Sequence, residues 1–558
     1  MSEKNAHTYI SVTCIRYLML CSANMVKIPD AKPWTSVHFE YCAQYLNERP
    51  FAKYALCYLK DHKDGCHGDA NVVRLASQFI DGLTCIWTVY LLERWVRFNL
   101  NKVLLNSKEA GTAESFRNKL LNAAVMKGFS QATEILLIVG ANSNSRDKYG
   151  IAPLSWAVWR GHEAVVNVLL ASGKVEVEAK DSIEWKPLSC AAIRGHEAVV
   201  KVLLAMGRVD ADATDKDGRT PLSWAAERGH DTVVKALLAT GKADADKKDE
   251  KKRTPLSWAA ERGHEAVVKT LLATGKVEAD AEENDGWTPL SWAAVKGHEA
   301  VVKILLATGN VKPDGKESNG RTPLSWAALR GHDAVVEMLL ETGGVEADVE
   351  NWDGRTPLSL AALGGHKVVI EMLLATGKVE ADTKDKWNER TPLSWAAERG
   401  HEAVVKVLLA TGKVEVDAKD WEGRTPLSWA AEKGHKAVVE MLLATGKAEA
   451  DTKDKWNGRT PLSWAAEGGH EAVVKALLAT GKVEVDAKDW MGRTPLSLAT
   501  EGGHDTVVKM LQATGNVEAD TQAEVAKIGT KRKAEVFIQI EVDSSNIMPG
   551  KRPRIAID

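Results

Sequence analysis

The chain has 558 residues, of which 44% are hydrophobic and 27% charged, and its formal net charge is −3 at pH 7. Such a composition can bury a core, and the near balance of charge argues against nonspecific nucleic-acid binding, which requires the neutralisation of many phosphates. Seven cysteines, an odd number, indicate a reducing compartment. No secretory signal is found, because Arg16 interrupts the early apolar run, and the apolar run 83–92 is far shorter than the ~20 residues that cross a bilayer. The sequence therefore predicts an intracellular, soluble protein without membrane contact.

Residues 1–115 form a region of their own, without internal repetition. Segments 39–46, 51–60 and 72–92 have helical patterns, and prolines and glycines separate them. This region is predicted to be helical.

Six of the seven cysteines lie in this first region. Cys57, His62, Cys66 and His67 have the residue types and close spacing of zinc ligands. The alternative is that Cys57 is a small core residue of a helix, as free cysteines often are. Because no paired C-x-x-C occurs, we favour the alternative and expect neither a metal nor another cofactor.

From residue 116 onward the chain is built from one repeated unit, represented by residues 391–412, TPLSWAAERGHEAVVKVLLATG. Its proline recurs at intervals of 34 or 35 residues, at Pro153, Pro187, Pro221, Pro255, Pro289, Pro323, Pro357, Pro392, Pro426, Pro461 and Pro495. A period of this length is typical of stacked-repeat proteins.

The residues of the unit predict two short helices. Thr391 suits the N-cap of the first helix, Pro392 its first turn, and Gly400 a left-handed C-cap. Residues 401–410 follow as a second helix with valines and leucines on one face. Helices this short are marginal alone, so each unit must bury its apolar face against the next unit.

The pattern T-P-L-x-x-A-A-x-x-G-H, followed by V-V-x-x-L-L, resembles the ankyrin repeat, and TPLSWAA arrays look like those of filamentous fungi. The resemblance implies an all-α ankyrin-repeat solenoid of helix–turn–helix pairs joined by β-hairpin loops. We count twelve repeats in residues 116–524, the first degenerate because it lacks the Thr-Pro start. Residues 50–62 look like the helical region that precedes the ankyrin array in fungal NACHT-type proteins. No G-x-x-x-x-G-K-[ST] phosphate loop accompanies them.

Histidine and serine recur once per repeat, as expected for residues with a structural role. Equivalent residues of neighbouring repeats should lie roughly 10 Å apart, too far for a shared metal or a nucleophile–base pair. The sequence therefore predicts that the protein is not an enzyme and has no small-molecule substrate.

The most informative position lies five residues before the repeat proline, at the predicted hairpin tip. It is mostly polar in the first half of the array and always tryptophan from the seventh full repeat onward: Trp352, Trp387, Trp421, Trp456 and Trp490. Exposed aromatic rows are typical of protein interaction sites, and the resemblance implies that hairpin tips contact partners. The alternative is an internal ladder of indoles that stiffens the array, as expected for the series that includes Trp156 and Trp395 in the first helix.

A second candidate surface is the residue pair before each Gly-His, for example Glu227–Arg228 and Glu398–Arg399. Its mixed charge favours a solvated face. It also excludes a continuous basic groove for direct nucleic-acid binding.

Residues 525–558 are predicted to be a flexible basic tail. Two basic clusters, one of them of the K-[KR]-x-[KR] form, are candidate nuclear-import signals: Lys531, Arg532 and Lys533, and Lys551, Arg552 and Arg554.

These features predict a non-enzymatic scaffold that holds another protein. The tail favours a nuclear adaptor or transcription co-regulator that acts through a bound partner such as a transcription factor. The 50–62 segment favours the alternative, a cytoplasmic recognition arm of NACHT-like origin that has lost its NTPase module.

Overall fold

The computed structural model describes residues 110–138, 140–147, 149–180 and 185–514. The predicted zinc ligands Cys57, His62, Cys66 and His67 lie outside these residues, as do both basic clusters of the tail. The boundaries drawn at residues 115 and 524 stay predictions, although the first described helix already begins at Ala110.

Within the described residues the chain forms 24 α-helices and no β-strand, so the predicted all-α repeat fold is confirmed. The first helices of the twelve pairs are α1 Ala110–Lys127, α3 Pro153–Arg160, α5 Pro187–Arg194, α7 Pro221–Arg228, α9 Pro255–Arg262, α11 Pro289–Lys296, α13 Pro323–Arg330, α15 Pro357–Gly364, α17 Pro392–Arg399, α19 Pro426–Glu432, α21 Pro461–Glu467 and α23 Pro495–Gly502. The second helices are α2 Ser130–Ile138, α4 Glu163–Ala171, α6 Glu197–Ala205, α8 Asp231–Ala239, α10 Glu265–Leu272, α12 Glu299–Ala307, α14 Asp333–Glu341, α16 Lys367–Ala375, α18 Glu402–Ala410, α20 Lys436–Ala444, α22 Glu471–Ala479 and α24 Asp505–Gln512.

The ends of α17 follow the rules that its sequence predicts. Thr391 Oγ1 accepts a hydrogen bond from the Ser394 backbone N–H at 3.2 Å, and Pro392 occupies the first turn. Gly400 ends the helix with φ at +71°, a left-handed conformation that glycine adopts without steric cost. The second helix begins one residue later than predicted, at Glu402, and His401 is its N-cap.

The described residues fall into two compact units, which we treat separately. Unit 1 ends at Glu278 and contains α1 to α10, whereas unit 2 begins at Ala279 and contains α11 to α24. In each unit the first helices of successive pairs pack on one another, and the second helices form a parallel row. No helix of the described residues has both the length and the apolar character needed to cross a bilayer.

The core of each unit lies between these two rows of helices. In α17 and α18 it contains Ala396, Ala397, Val404, Val405 and Leu408, all fully buried. Leu409, which the helical pattern places on the same face, is only partly buried because it lies at the edge of the apolar stripe. The two small alanines of each first helix allow the first helices to pack closely. Each helix pair therefore completes the core of the neighbouring helix pair within the unit.

Candidate functional site

A carboxylate organises most of the described hairpins that precede a first helix, and the amide of Asn351 takes its place in hairpin 351–355. In hairpin 420–424, the Asp420 N–H donates to the Arg424 carbonyl at 3.0 Å, and Asp420 Oδ1 accepts the Arg424 N–H at 2.8 Å. Asp420 Oδ2 accepts a hydrogen bond from Trp429 Nε1 of α19 at 2.8 Å. One aspartate therefore closes the turn and fixes the following helix against it.

Unit 2 contains hairpins of two lengths that carry the tip tryptophans. Hairpins 351–355, 420–424 and 489–493 are short, whereas hairpins 385–390 and 454–459 contain one more residue. In a short hairpin the tryptophan itself bonds to the preceding hairpin, as when the Trp421 N–H donates to the Asn388 carbonyl at 2.9 Å. In a long hairpin a lysine takes that place, since the Lys386 N–H donates to the Asp353 carbonyl at 2.8 Å. The five tryptophans therefore occupy two different positions on the hairpins.

All five tip tryptophans are exposed to solvent. Their exposed fractions are 70% for Trp352, 72% for Trp387, 52% for Trp421, 60% for Trp456 and 66% for Trp490. The Met491 side chain beside Trp490 is also 76% exposed. These residues give unit 2 a row of apolar side chains in water.

Trp352 and Trp490 each lie on the glycine of the preceding hairpin. A Cβ at Gly320 would come within 2.5 Å of Trp352 Cδ1, and a Cβ at Gly458 within 2.7 Å of Trp490 Cδ2. Trp490 Nε1 also donates to the Lys455 carbonyl at 3.2 Å. One face of each indole is thus occupied by its own array.

Trp421 cannot pack on a glycine in this way, because Glu389 stands at the corresponding position of the preceding hairpin. The backbone of Glu389 has φ at +54°, which is rare for a residue with a Cβ. The Trp421 ring instead meets the Trp456 ring, with 5.3 Å between centroids and 57° between planes. These two indoles form an open aromatic pair.

The internal ladder is formed by the other tryptophan series, on the first helices, and it contains arginine. The Arg390 guanidinium lies 4.6 Å from the Trp395 ring centroid and 3.6 Å from that of Trp429 in the next repeat. Arg424 lies in the same way 4.4 Å from Trp429 and 4.1 Å from Trp464. Trp395, Trp429 and Trp464 are buried, so these arginines join consecutive repeats by cation–π contacts that are shielded from water.

Carboxylates at the ends of the first helices complete this ladder. Arg390 Nη1 pairs with Glu398 at 2.9 Å, and Arg459 Nη1 with Glu467 at 2.5 Å. In unit 1, Glu227 is buried and pairs with both Arg219 and Arg262. The glutamate of the residue pair before Gly-His is therefore part of the ladder rather than a simple solvated face.

The repeated histidines join each repeat to the preceding one. His401 Nε2 lies 3.1 Å from the Leu363 carbonyl and His435 Nε2 lies 3.0 Å from the Glu398 carbonyl, each in the preceding repeat. The imidazole of His435 also covers Gly400, where a Cβ would come within 2.5 Å of Nδ1. Burial lowers the pKa of His162 and of His401 below the ordinary value of 6.5. These contacts support the structural role predicted from the once-per-repeat pattern.

The ladder arginine was missed by the analysis of the sequence. Its signal is present as the repeated pattern R-T-P-L-S-W-A-A-E, in which arginine, tryptophan and glutamate recur at fixed spacing. Trp287 occupies the arginine position of its repeat and lies 4.3 Å from Trp292 and 5.1 Å from Trp326, centroid to centroid. The position therefore accepts any flat side chain that fits between two indoles.

No group of three or more His, Cys, Asp or Glu residues in the described parts of the chain is arranged to hold a metal ion. What the geometry offers is a rigid row of buried arginine–tryptophan contacts beside exposed indoles. Such an arrangement can bind another molecule by contact.

Comparisons with known proteins agree with this arrangement. A family sequence model described as Ankyrin repeats (3 copies) matches residues 95–181, 174–249, 235–317, 309–385, 370–454 and 446–523. Among solved structures, the chain is similar to the ankyrin repeat domain of human ASB11, with 28% sequence identity, a TM-score of 0.37, and coverage of 40% of this chain and 98% of that one. No curated protein matches the chain.

Proposed function

Because this chain belongs to the ankyrin-repeat family and is a scaffold for protein–protein interaction, we propose that the exposed indoles of unit 2 hold its partner. The observation that carries the proposal is the set of five tryptophans that are each more than half exposed. Contact of large aromatic side chains with water is unfavourable, and their burial against a partner lowers the free energy of the complex.

Three of the five tryptophans are the strongest candidates for contact. Trp352 and Trp490 already use one face against Gly320 and Gly458, whereas Trp387, Trp421 and Trp456 lack such a seat. A tryptophan at the centre of an interface commonly contributes ~2 kcal/mol or more to binding. We therefore assign the main contact to Trp387 and the Trp421–Trp456 pair.

Affinity capture followed by mass spectrometry tests this assignment. The intact protein is compared with a variant that combines Trp387→Ala, Trp421→Ala and Trp456→Ala. A matched control is Lys216→Ala, which changes the tip position of a unit 1 hairpin. We expect the triple variant to lose partners that the control retains, at an unchanged melting temperature. Equal capture by all three proteins would overturn the assignment.

We further propose that the scaffold works in the nucleus as an adaptor or transcription co-regulator, with a transcription factor as the partner. The support is in the sequence: Lys531–Lys533 and the cluster at Lys551, Arg552 and Arg554 have the composition of import signals. The mixed charge of the repeats favours an indirect role, through a bound regulator, over direct contact with nucleic acid.

A cytoplasmic recognition arm of NACHT-like origin is the second candidate, favoured by the sequence of residues 50–62. Imaging of the tagged full chain and of a form without residues 530–558 distinguishes the two. Nuclear accumulation that is lost with the tail supports the adaptor. Cytoplasmic signal from both forms supports the recognition arm.

A further inference from the structure

A column of aspartates links the loops of successive repeats in unit 2. Its members Asp348, Asp382, Asp417 and Asp451 each lie nine residues before the repeat proline, or ten where the hairpin is long. Their Oδ2 atoms accept a backbone N–H from the next loop, at 3.1 Å for Asp348 with Glu380, 2.6 Å for Asp382 with Glu415, 2.7 Å for Asp417 with Glu449 and 2.8 Å for Asp451 with Glu484. One carboxylate oxygen per repeat is thus used to connect neighbouring loops.

The other carboxylate oxygen of these aspartates has no partner. Oδ1 of Asp348, Asp382, Asp417 and Asp451 is buried and makes no hydrogen bond. An ionised oxygen without a donor in such a place is costly. Burial accordingly raises the pKa of all four carboxyl groups above the ordinary 3.8, although the backbone N–H acts in the opposite direction.

The same position in an early repeat of unit 1 shows what the site can accommodate. Asn144 Oδ1 accepts the Glu176 N–H at 2.9 Å, as the aspartates do with their own partners. Asn144 Nδ2 then donates to the Lys174 carbonyl at 2.8 Å. An amide therefore makes two bonds to the next loop, one as acceptor and one as donor. A carboxylate can make only the first of these bonds, whereas a protonated carboxyl group can make both.

We propose that the aspartate column of unit 2 is a pH-responsive element, in which proton uptake at Oδ1 supplies the missing donor and ties each loop more firmly to the next. The acceptor, by analogy with Asn144, is the carbonyl two residues before the bonded amide, which is that of Lys413 for Asp382. The column lies in the loops that carry the tip tryptophans, but the proposal does not depend on partner binding by those tryptophans.

The charged groups around the column mostly favour protonation. Glutamates of the same and the next loop raise the pKa of the aspartates, namely Glu380 and Glu350 at Asp348, Glu415 at Asp382, Glu449 and Glu415 at Asp417, and Glu484 at Asp451. Lysines oppose them, namely Lys384 at Asp382, Lys419 at Asp417 and Lys453 at Asp451.

The sign of the pH effect follows from the raised pKa. Between the unfolded value near 3.8 and the higher folded value, the folded chain binds more protons than the unfolded chain. The contribution of each aspartate to stability therefore increases as the pH falls through the folded pKa, and it is least favourable at neutral pH.

Thermal unfolding of the full chain tests the proposal through Asp→Asn substitutions at residues 348, 382, 417 and 451. Asparagine copies the protonated carboxyl group, so the combined variant should melt a few degrees higher than the wild type at pH 7.5. The difference should shrink towards pH 4.5, where the wild type gains its own protons. A difference that is absent, reversed or independent of pH would overturn the proposal.

A direct titration gives a second measurement, on the same full chain. The side-chain carboxyl ¹³C resonance of each aspartate is assigned by its loss in the corresponding single Asn variant. Its chemical shift is then measured as a function of pH. We expect titration midpoints above the ordinary 3.8, and midpoints at or below it would refute the idea. Glu337→Gln, at an exposed position of α14, is the control for loss of one negative charge and should leave both measurements almost unchanged.

Discussion

Two nearly identical hairpins differ at a single residue that decides how a tryptophan packs. Residues 385–390 read DKWNER and residues 454–459 read DKWNGR. Gly458 accepts the Trp490 ring on its surface, whereas Glu389 holds a left-handed backbone with φ at +54° and leaves the Trp421 ring beside Trp456. Strained residues of this kind are found most often at functional sites.

We expect Glu389→Gly to stabilise the protein by about 1 kcal/mol, because glycine adopts the left-handed backbone without steric cost. Part of the gain is offset by the greater freedom of glycine in the unfolded chain. Urea denaturation measures the difference. Trp421 should then lie on residue 389 as Trp352 lies on Gly320, with reduced quenching of its fluorescence by acrylamide.

Glu389→Ala is the matched control, since alanine removes the charge and keeps the Cβ. It should show little or no gain in stability. An equal gain from alanine and glycine would mean that the negative charge, and not the backbone conformation, is the source of the cost.

The residue scale is also where the sequence is least sufficient. Counting back from the repeat proline places all five tip tryptophans in one column, and their exposure agrees with the prediction of surface residues. The count does not show that the extra residue of a long hairpin moves Trp387 and Trp456 to another position. That difference arises from backbone pairing between hairpins, as at Lys386 and Asp353, which no local pattern specifies.

At the scale of helices and hairpins, the ladder of arginine and tryptophan explains how repeats are held in register. Arg424, for example, contacts Trp429 of its own repeat and Trp464 of the next, and it pairs with Glu432 at the end of α19. The contact is not present in every repeat, because Cys190, Leu360 and Leu498 stand in the tryptophan position of three repeats.

A double-mutant cycle with Arg424→Met and Trp429→Leu should give a coupling energy of roughly 1–2 kcal/mol, because Trp429 is buried and a cation–π contact strengthens when it is shielded from water. Arg424 lies 4.4 Å from the Trp429 ring centroid, so removal of either residue removes the same contact. Equilibrium unfolding in urea supplies the four free energies.

The comparison cycle uses Arg355→Met with Leu360→Ala, at the same two positions of a repeat that lacks the ladder indole. Its coupling energy should be clearly smaller. If the two cycles gave equal values, the coupling would reflect general packing, and the ladder would have no specific energetic role.

Helices and caps, by contrast, were predictable because they depend on short-range rules. The Thr-Pro start and the Gly-His end of each first helix are found as expected at α17, including the cap bond from Ser394 to Thr391. The arginine contacts between repeats were not predictable in this way, since they join residues 39 or 40 positions apart, as in Arg390–Trp429 and Arg424–Trp464, and depend on the packing distance between repeats.

On the scale of the whole molecule, the repeat period predicts most of the architecture because each pair packs only against its neighbours. The sequence of a single repeat therefore predicts the helices and the packing of every described helix pair. The same logic says nothing about residues 1–109, which have no period, or about which partner the exposed indoles meet. A partner is chosen by the few residues that vary between repeats, and their chemistry alone does not name it.

His401 has a pH dependence of opposite sign to that of the aspartate column. Burial lowers the pKa of His401, so the unfolded chain binds a proton at this residue before the folded chain does. The neutral imidazole therefore contributes stability that is complete above pH 6.5 and is lost as the pH falls below it towards the folded pKa.

We expect His401→Gln to remove this part of the pH dependence, by less than about 1 kcal/mol because the ring is still partly exposed to water. Glutamine keeps an N–H that can donate to the Leu363 carbonyl, which His401 Nε2 meets at 3.1 Å, but it does not titrate. The urea midpoints of wild type and variant should therefore converge or cross as the pH is lowered from 7.5 to 5.5, because the wild type loses more stability than the variant. If the wild type lost no more stability than the variant over this range, the charged imidazole would keep its contact with the Leu363 carbonyl, and protonation of His401 would not weaken the array.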